Sequence, residues 1–295
     1  MDMINLKNII NDVFKKKFLF LGIMLIGIAS SFFYSLSIPN KYTSSAKLLI
    51  SDFKNQSNNQ LGSQFNSISS FVGLNSAGSD NALVALETIR SKDLLEVLLE
   101  TDGIKEKIFA ASGFNAATKT IIYDPEIYDI SDEVWTRKAS WPKQSEPSYV
   151  EVHDKLMLDF AASLDRDNGV IVISYSHFSP YFAKEFLDLA ISSTNQLQKK
   201  IDQDRSQSSL DFLRSELAST SVSEIRSSAA QLIENQLKTL MLTRVEEDYL
   251  LQVLDKPYIP EKKSSPSRFL IIFLGSVISF ALSIIFILGR SFFVK

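Results

Sequence analysis

With 295 residues, a net charge of −3 and no cysteine, the chain has room for one or two folded domains and excludes disulfides and cysteine-based metal or redox chemistry. Its 31 Lys and Arg residues are spread along the chain, which argues against a nucleic-acid-binding surface. The longest apolar runs lie at the two ends, so the composition already favours a membrane protein.

The first predicted element is a membrane-spanning helix at residues 18–38, with the uncharged sequence FLFLGIMLIGIASSFFYSLSI. A helix of this length crosses the roughly 30 Å hydrocarbon core. A cleaved signal peptide is the alternative, but the apolar run is too long for one and no Ala-x-Ala site follows it. Because Lys7, Lys15, Lys16 and Lys17 precede the span, we expect the N-terminal tail to stay in the cytoplasm.

Short elements follow the first span, as hydrophobic spacing and turn residues indicate. They are, in order, a strand at 44–51, a polar loop at 52–70, helices at 81–89 and 93–100, a strand at 120–123 and a helix at 150–160. The acidic run at 124–133 is either a solvated loop or a cation site, and we favour the loop. Asp167, Asn168 and Gly169 predict a tight turn between two strands, since the spacing does not fit a calcium-binding loop.

Two long helices are predicted next, joined as an antiparallel hairpin. The first begins at Pro180 and continues to about Ser219; the second begins at a Ser221–Glu224 capping box and runs to about Leu254. An isolated hairpin of this length buries little surface, so we expect other copies of the chain to stabilise it.

A proline-rich basic connector leads into the second span. Its notable residues are Pro257, Pro260, Lys263, Pro266 and Arg268. The prolines block helix continuation and favour extended geometry. The basic residues would lie near lipid phosphates, although a simple linker explains the same sequence.

The second predicted span covers residues 269–289 and carries Gly275, Ser279 and Ser283 on one helix face. Small residues at this spacing let membrane helices pack closely, so the three are candidates for a packing seam. The six residues that follow would lie in the cytoplasm, and we expect the protein to act outside the cytoplasm or within the membrane.

No nucleotide, zinc or serine-hydrolase motif occurs, and His153 and His177 are isolated, so no catalytic residue, metal or cofactor is predicted.

At this point the chain resembles the Wzz-type polysaccharide co-polymerases, the O-antigen chain-length determinants of Gram-negative bacteria. Four stretches carry the resemblance: PNKYTSSAKLL at 39–49, ALETIRSKDLL at 85–95, SPYFA at 179–183, where Ser179 replaces an acidic residue, and the proline-rich connector. Each motif is weak by itself, whereas their order between two terminal spans is specific.

The resemblance implies an α+β periplasmic domain, with a membrane-proximal α/β base and a long helical hairpin, between two transmembrane helices of the inner membrane. The expected regions are a cytoplasmic tail (1–17), the first span (18–38), the base (39–179), the hairpin (180–254), the connector (255–268), the second span (269–289) and a cytoplasmic tail (290–295). It also implies a homo-oligomer that acts without catalysis beside a membrane glycan polymerase and sets the length of an undecaprenyl-linked glycan. An export-linked capsule or exopolysaccharide co-polymerase, a two-span sensor and a glycan-cleaving enzyme are the alternatives.

Overall fold

The computed structural model describes residues 17–51, 77–219 and 223–293. The predicted polar loop at 52–70, the helix cap at Ser221 and the tail lysines before Lys17 lie outside these ranges. The chain divides into two compact units: a smaller one formed by residues 1–41 and 263–295, and a larger one formed by residues 42–262. We call them the membrane unit and the central unit.

The described residues form helices α1 to α8 and strands β1 to β8, numbered separately in chain order. The elements are α1 (Lys17–Ser37), β1 (Tyr42–Ile50), α2 (Ala77–Ile89), α3 (Lys92–Leu99), α4 (Ile104–Phe109), β2 (Ala111–Asn115), β3 (Thr120–Tyr123), β4 (Tyr128–Asp129), β5 (Val134–Trp135), α5 (Tyr149–Asp159), β6 (Phe160–Asp165), β7 (Val170–His177), α6 (Pro180–Ser219), α7 (Ser223–Val245), β8 (Leu251–Asp255) and α8 (Arg268–Phe293).

Helices α1 and α8 pack together in the membrane unit. Phe18–Ser37 and Arg268–Ile287 are each long and apolar enough to cross a membrane, judged by length and composition. Helix α1 ends just before Pro39, since the residue that precedes a proline is disfavoured in helical geometry. Both predicted spans therefore form helices of the required length.

A four-stranded sheet in the order β6-β7-β1-β8 organises the central unit, and all its neighbouring strands are antiparallel. Alternate side chains of β7 point into the core, among them Ile171, Ile173 and Tyr175. Leu48 in β1 is fully buried. Helices α2, α3 and α6 contribute the facing apolar side chains, so the sheet and these helices form one hydrophobic core.

The predicted turn between two strands is confirmed at residues 165–170. The Asp165 carboxylate accepts hydrogen bonds from the Asp167 backbone N–H (3.1 Å) and from the Asn168 side-chain amide (2.9 Å). Gly169 has φ +67°, the left-handed geometry that glycine adopts without steric cost. Strands β6 and β7 continue from this turn as an antiparallel pair.

Helices α6 and α7 form the predicted hairpin. Helix α6 has 40 residues, a length of about 60 Å, and its first half is buried against the sheet through Phe182, Phe186 and Leu187. Farther along, the Gln203 side-chain amide donates to Thr243 Oγ1 of α7 over 3.2 Å. The distal half of α6 packs against α7, and Asp202 also accepts a hydrogen bond from Tyr249, which follows α7.

The second hairpin helix is shorter than expected, because α7 ends at Val245 rather than near Leu254. Glu246, Glu247 and Asp248 follow at once, and negative charge at a helix C-terminus opposes the helix dipole. The apolar residues beyond them form β8, the edge strand beside β1. Asn195 of α6 holds the start of this strand: its Oδ1 accepts from Leu250 N (2.9 Å) and Leu251 N (2.8 Å), and its Nδ2 donates to Leu251 O (3.0 Å).

The acidic run at 124–133 is more ordered than the predicted loop. Strands β4 and β5 pair within and beside it, and Tyr128 is buried. Carboxylates of the run cap turns: Asp124 accepts from Glu126 N (3.0 Å) and Asp129 from Ser131 N (2.8 Å). Backbone capping therefore accounts for two of the acidic side chains.

Arg137 and Glu151 form a two-bonded ion pair in the central unit. Arg137 donates to both Glu151 carboxylate oxygens, at 2.9 and 2.8 Å, and to the carbonyl oxygens of Gln144 (2.7 Å) and Ser145 (2.8 Å). Both side chains are largely buried. Hydrogen bonding from Arg137 is the main reason that the pKa of Glu151 falls to about 2.

This pair gives the folded state a pH-dependent stability. Because the folded pKa of Glu151 lies below its unfolded value, the stabilisation is complete above about pH 4.5 and is lost as the pH falls toward 2. It amounts to about 1–2 kcal/mol at neutral pH, because solvent near this pair screens part of the interaction. We expect Glu151→Gln to lower the free energy of unfolding by about this amount and to flatten its dependence on pH between about 5 and 3.

Denaturant unfolding of the detergent-solubilised protein, followed by tryptophan fluorescence, measures both effects. Lys143→Gln is the matched control, since Lys143 contacts the same carboxylate at 3.4 Å from a largely exposed position and should change stability by less than about 1 kcal/mol. An unchanged pH slope in Glu151→Gln would contradict the assignment.

Candidate functional site

The residues predicted as functional fall into both units. Gly275, Ser279 and Ser283 lie on α8. Lys263, Pro266 and Arg268 belong to the membrane unit, and Pro257 and Pro260 to the central unit. The predicted connector residues are therefore divided between the two units.

Gly275 and Gly27 are the points of close approach between α8 and α1. A Cβ atom at Gly275 would overlap Ser31 Oγ and stand 2.5 Å from Ser31 Cβ, and a Cβ at Gly27 would meet Ser279 in the same way. Each glycine thus faces a serine of the other helix. Contacts this close leave no room for a larger residue at either glycine, as in other close-packed membrane helices.

The serines of this seam satisfy their hydroxyls within their own helices. Ser31 donates to Gly27 O (2.9 Å), Ser279 to Gly275 O (2.8 Å) and Ser283 to Ser279 O (2.7 Å). Such bonds hide a polar group from lipid without a partner on another helix. The seam therefore depends on shape complementarity, with no hydrogen bond across it among these serines.

Sequence reasoning found only half of this seam. Helix α1 carries Gly27, Ser31 and Ser35 at the same four-residue spacing as Gly275, Ser279 and Ser283 on α8. The signal was present in the sequence of the first span. Ser35 is also buried, and its Oγ has no hydrogen-bond partner among the described residues.

A backbone clasp joins the chain ends next to α1 and α8. Lys41 N donates to Ser265 O (2.8 Å), and Ser264 N donates back to Lys41 O (2.9 Å). The hydroxyl of Ser264 adds a third bond to Lys41 O (3.1 Å). Lys41, four residues beyond α1, is thereby fixed to Ser264 and Ser265, shortly before α8.

Two basic side chains of this clasp converge on Asn40. Its Oδ1 accepts from Lys263 Nζ (3.5 Å) and from a terminal guanidinium nitrogen of Arg268 (3.3 Å). Arg268 Nε is buried without a hydrogen-bond partner among the described residues. Residues 17–41 and 263–293 include no Asp or Glu, so the described part of the membrane unit has no carboxylate to neutralise these cations.

The connector prolines have different surroundings. Pro257 and Pro260 are buried, whereas Pro266 is half-buried. Pro257 lines an open groove of about 500 Å³ beside α6, together with Ser192, Gln196 and Lys199. This groove is polar and belongs wholly to the central unit.

Both histidines have structural hydrogen bonds. His153 Nε2 bonds to Arg90 O (2.9 Å). His177 is buried, with Nε2 bonded to Lys107 O (2.9 Å) and Nδ1 accepting from Ser179 N (3.0 Å). In the described part of the chain, no three His, Asp or Glu side chains are grouped to hold a metal ion.

Tyr249 lies between α7 and β8 and forms a hydrogen bond with α6. Its hydroxyl donates to the buried Asp202 carboxylate over 2.7 Å. Burial, followed by this hydrogen bond, raises the pKa of Tyr249 far above its ordinary value. The phenol is therefore a permanent donor that links α6 to the chain just before β8.

We expect Gly275→Leu to separate α1 from α8, because the new side chain would occupy the space of Ser31. The protein has no cysteine, so Phe20→Cys with Phe280→Cys gives a defined pair for cross-linking by a short bis-thiol reagent; the two rings lie 5.7 Å apart. The cross-linking yield should fall several-fold.

Gly22→Leu is the control, since a Cβ at Gly22 meets nothing within 4 Å. It should leave the yield unchanged. Full cross-linking in Gly275→Leu would show that the close approach at this glycine does not hold the helices together.

Comparison with known proteins adds one family match. Residues 2–101 match the family model of Wzz, chain length determinant protein. No curated protein sequence matches the chain.

Among the solved structures that are similar to this chain, two match it at low identity over most of its length. A full-length bacterial polysaccharide co-polymerase has 13% identity over 98% of this chain and 97% of its own, with a TM-score of 0.41. A fragment of WzzB, the polysaccharide co-polymerase from Salmonella Typhimurium, has 14% identity over 77% of this chain and 100% of its own, with a TM-score of 0.31. Superpositions this loose carry no argument about shape or activity.

The family match is different: it confirms the resemblance to the Wzz family over residues 2–101, the stretch that contains α1, β1, α2 and α3.

Proposed function

We propose that this protein regulates the chain length of a polysaccharide, most directly O-antigen, as a non-enzymatic scaffold beside a membrane glycan polymerase. The observation that carries the proposal is the match of residues 2–101 to the chain length determinant family. The matched family is named for setting a length and not for a reaction, which supports a role without catalysis.

The two apolar helices support a protein of the bacterial inner membrane. In the proposed topology both termini are cytoplasmic and the central unit is periplasmic. The lysine-rich N-terminal tail favours this orientation. Two spans then return the chain to the cytoplasmic side, and the long segment between them translocates largely regardless of its charge.

In this proposal the central unit works as a homo-oligomer. Apolar side chains of the hairpin remain exposed in the single chain, including Phe212 (65%), Met241 (65%) and Val245 (76%). Only Ala229 and Thr243 of α7 are buried among the side chains described for that helix. A helix with so little buried surface is marginal in isolation, and further copies of the chain would cover it.

We expect Phe212→Glu to reduce the oligomer to smaller species, because it places a charge in the proposed contact. Light scattering of the detergent-solubilised protein, corrected for bound detergent, measures the mass. Ala218→Glu is the control: it adds the same charge at an exposed position of α6 on a different helix face and should leave the mass unchanged. A wild-type mass for Phe212→Glu would exclude this part of α6 from the interface.

The proposed function predicts a change in surface glycan when the gene is deleted. Lipopolysaccharide from the wild type should run as a ladder clustered around a preferred length, and the ladder of the deletion strain should become broad and mostly short. Restoring the gene should restore the cluster. An unchanged ladder with altered capsule or exopolysaccharide length would move the function to that pathway, and no change in any of these glycans would refute it.

A further inference from the structure

We propose that Lys263 and Arg268, gathered around Asn40, bind the phosphate group of a membrane lipid. The site lies in the membrane unit, where the connector meets α8. Its existence does not depend on the proposed function, which only suggests one of the lipids to be tested.

The first argument is the charge balance of this cluster. Lys263 Nζ and an Arg268 terminal nitrogen both lie within 3.5 Å of the same oxygen, Asn40 Oδ1. The two cations are therefore about 7 Å apart or less, which is inside the screening length of about 8 Å in physiological salt. Neither forms an ion pair with a described residue. One neutral amide oxygen compensates two like charges poorly.

The second argument is the hydrogen bond that Arg268 lacks. Its Nε is shielded from solvent and has no partner among the described residues, although a buried donor left unpaired destabilises a structure, and more so when it is charged. A phosphate oxygen beside Nε would supply this bond. Arginine presents its donors as a planar fork that matches phosphate oxygens, and lysine adds a point charge.

The third argument is the position of the cluster at the ends of the two apolar helices. Ser37 ends α1 and Arg268 begins α8, and the clasp between Lys41 and Ser265 holds these helix ends together. If the two helices span a bilayer, their ends lie in the interfacial region that contains the phosphate groups of lipids. An anion at that depth is available at high local concentration, so a shallow cluster can be occupied.

Two sources offer this chemistry: an anionic phospholipid, and the diphosphate of an isoprenoid glycan carrier. The probes are therefore phosphatidylglycerol and undecaprenyl diphosphate, each added to the purified full-length protein in neutral detergent. Retained lipid is counted by native mass spectrometry over a series of lipid concentrations. We expect Arg268→Gln to weaken the retention of the occupying lipid about tenfold, which corresponds to the loss of one charge-assisted contact.

Asn40→Asp separates a binding role from a structural one. Aspartate has nearly the shape of asparagine, and its carboxylate would pair with Lys263 and Arg268 in place and cancel one of their two charges, as Arg268→Gln does. We expect this variant to unfold at the wild-type temperature or above it while it loses lipid retention as Arg268→Gln does. A purely structural role for the cluster predicts unchanged retention.

Lys262→Gln is the matched control, because Lys262 carries the same charge one residue before the cluster and is exposed. It should retain both lipids as the wild type does. The proposal fails if Arg268→Gln and Asn40→Asp also retain both lipids, or if Lys262→Gln loses as much lipid as they do, which would indicate a diffuse basic surface. Stronger retention of one probe identifies the source. The glycan ladder tests the proposed function separately, so either idea can fail alone.

Discussion

The antiparallel pairing of β1 with both β7 and β8 is the contact on which the central unit depends. Leu48 lies at its centre, opposite Ile171 on one side and Val253 on the other, and is fully buried. Strand β1 is the first element of the unit and β8 is its last, so this pairing closes a loop of about 200 residues. Closing a long loop costs little more chain entropy than closing a short one, and the three paired strands form a closed frame for the rest of the unit.

The frame explains how the hairpin is attached. Helices α6 and α7 form the connection between β7 and β8, which flank β1 from opposite sides. The first half of α6 belongs to the core through Phe186 and its neighbours. Asn195 and Asp202 then secure the returning chain through Leu251 and Tyr249. The distal hairpin exposes apolar side chains such as Phe212 and Met241, so its stability depends on helix packing and on whatever covers these side chains.

Much of this arrangement could be predicted from sequence, because the signals were local. Pro180 marked the start of α6, and Asp167, Asn168 and Gly169 marked the turn between β6 and β7. The end of α7 could not be placed in this way. Leu250, Leu251 and Val253 fit a helical spacing as well as a short strand, and only the pairing with β1 decides between them. The one local signal for a helix end was the run of three acidic residues after Val245, since negative charge is unfavourable at a helix C-terminus.

In the membrane unit too, patterns within one helix could be predicted from sequence, whereas contacts between distant parts of the chain could not. The small residues of α8 were visible at helical spacing, and those of α1 could have been read in the same way. The role of Asn40 could not, because its partners Lys263 and Arg268 lie 223 and 228 residues away in the chain. No local pattern links an asparagine after one span to two cations before the other. Such a cluster becomes evident only when the fold brings the chain ends together.

Helices α1 and α8 carry the same Gly-x-x-x-Ser-x-x-x-Ser face. The face of α1 can therefore pack against α8 of its own chain or against α8 of another copy. A face that fits one helix of its own chain also fits the same helix of a neighbouring copy, which is the condition for domain swapping between protomers. The two helices belong to one chain, and the backbone bonds between Lys41 and Ser265 hold their ends together, so the intrachain partner has a high effective concentration. Pairing within one chain therefore dominates when copies are dilute in the bilayer, and crowding of copies into an assembly favours exchange.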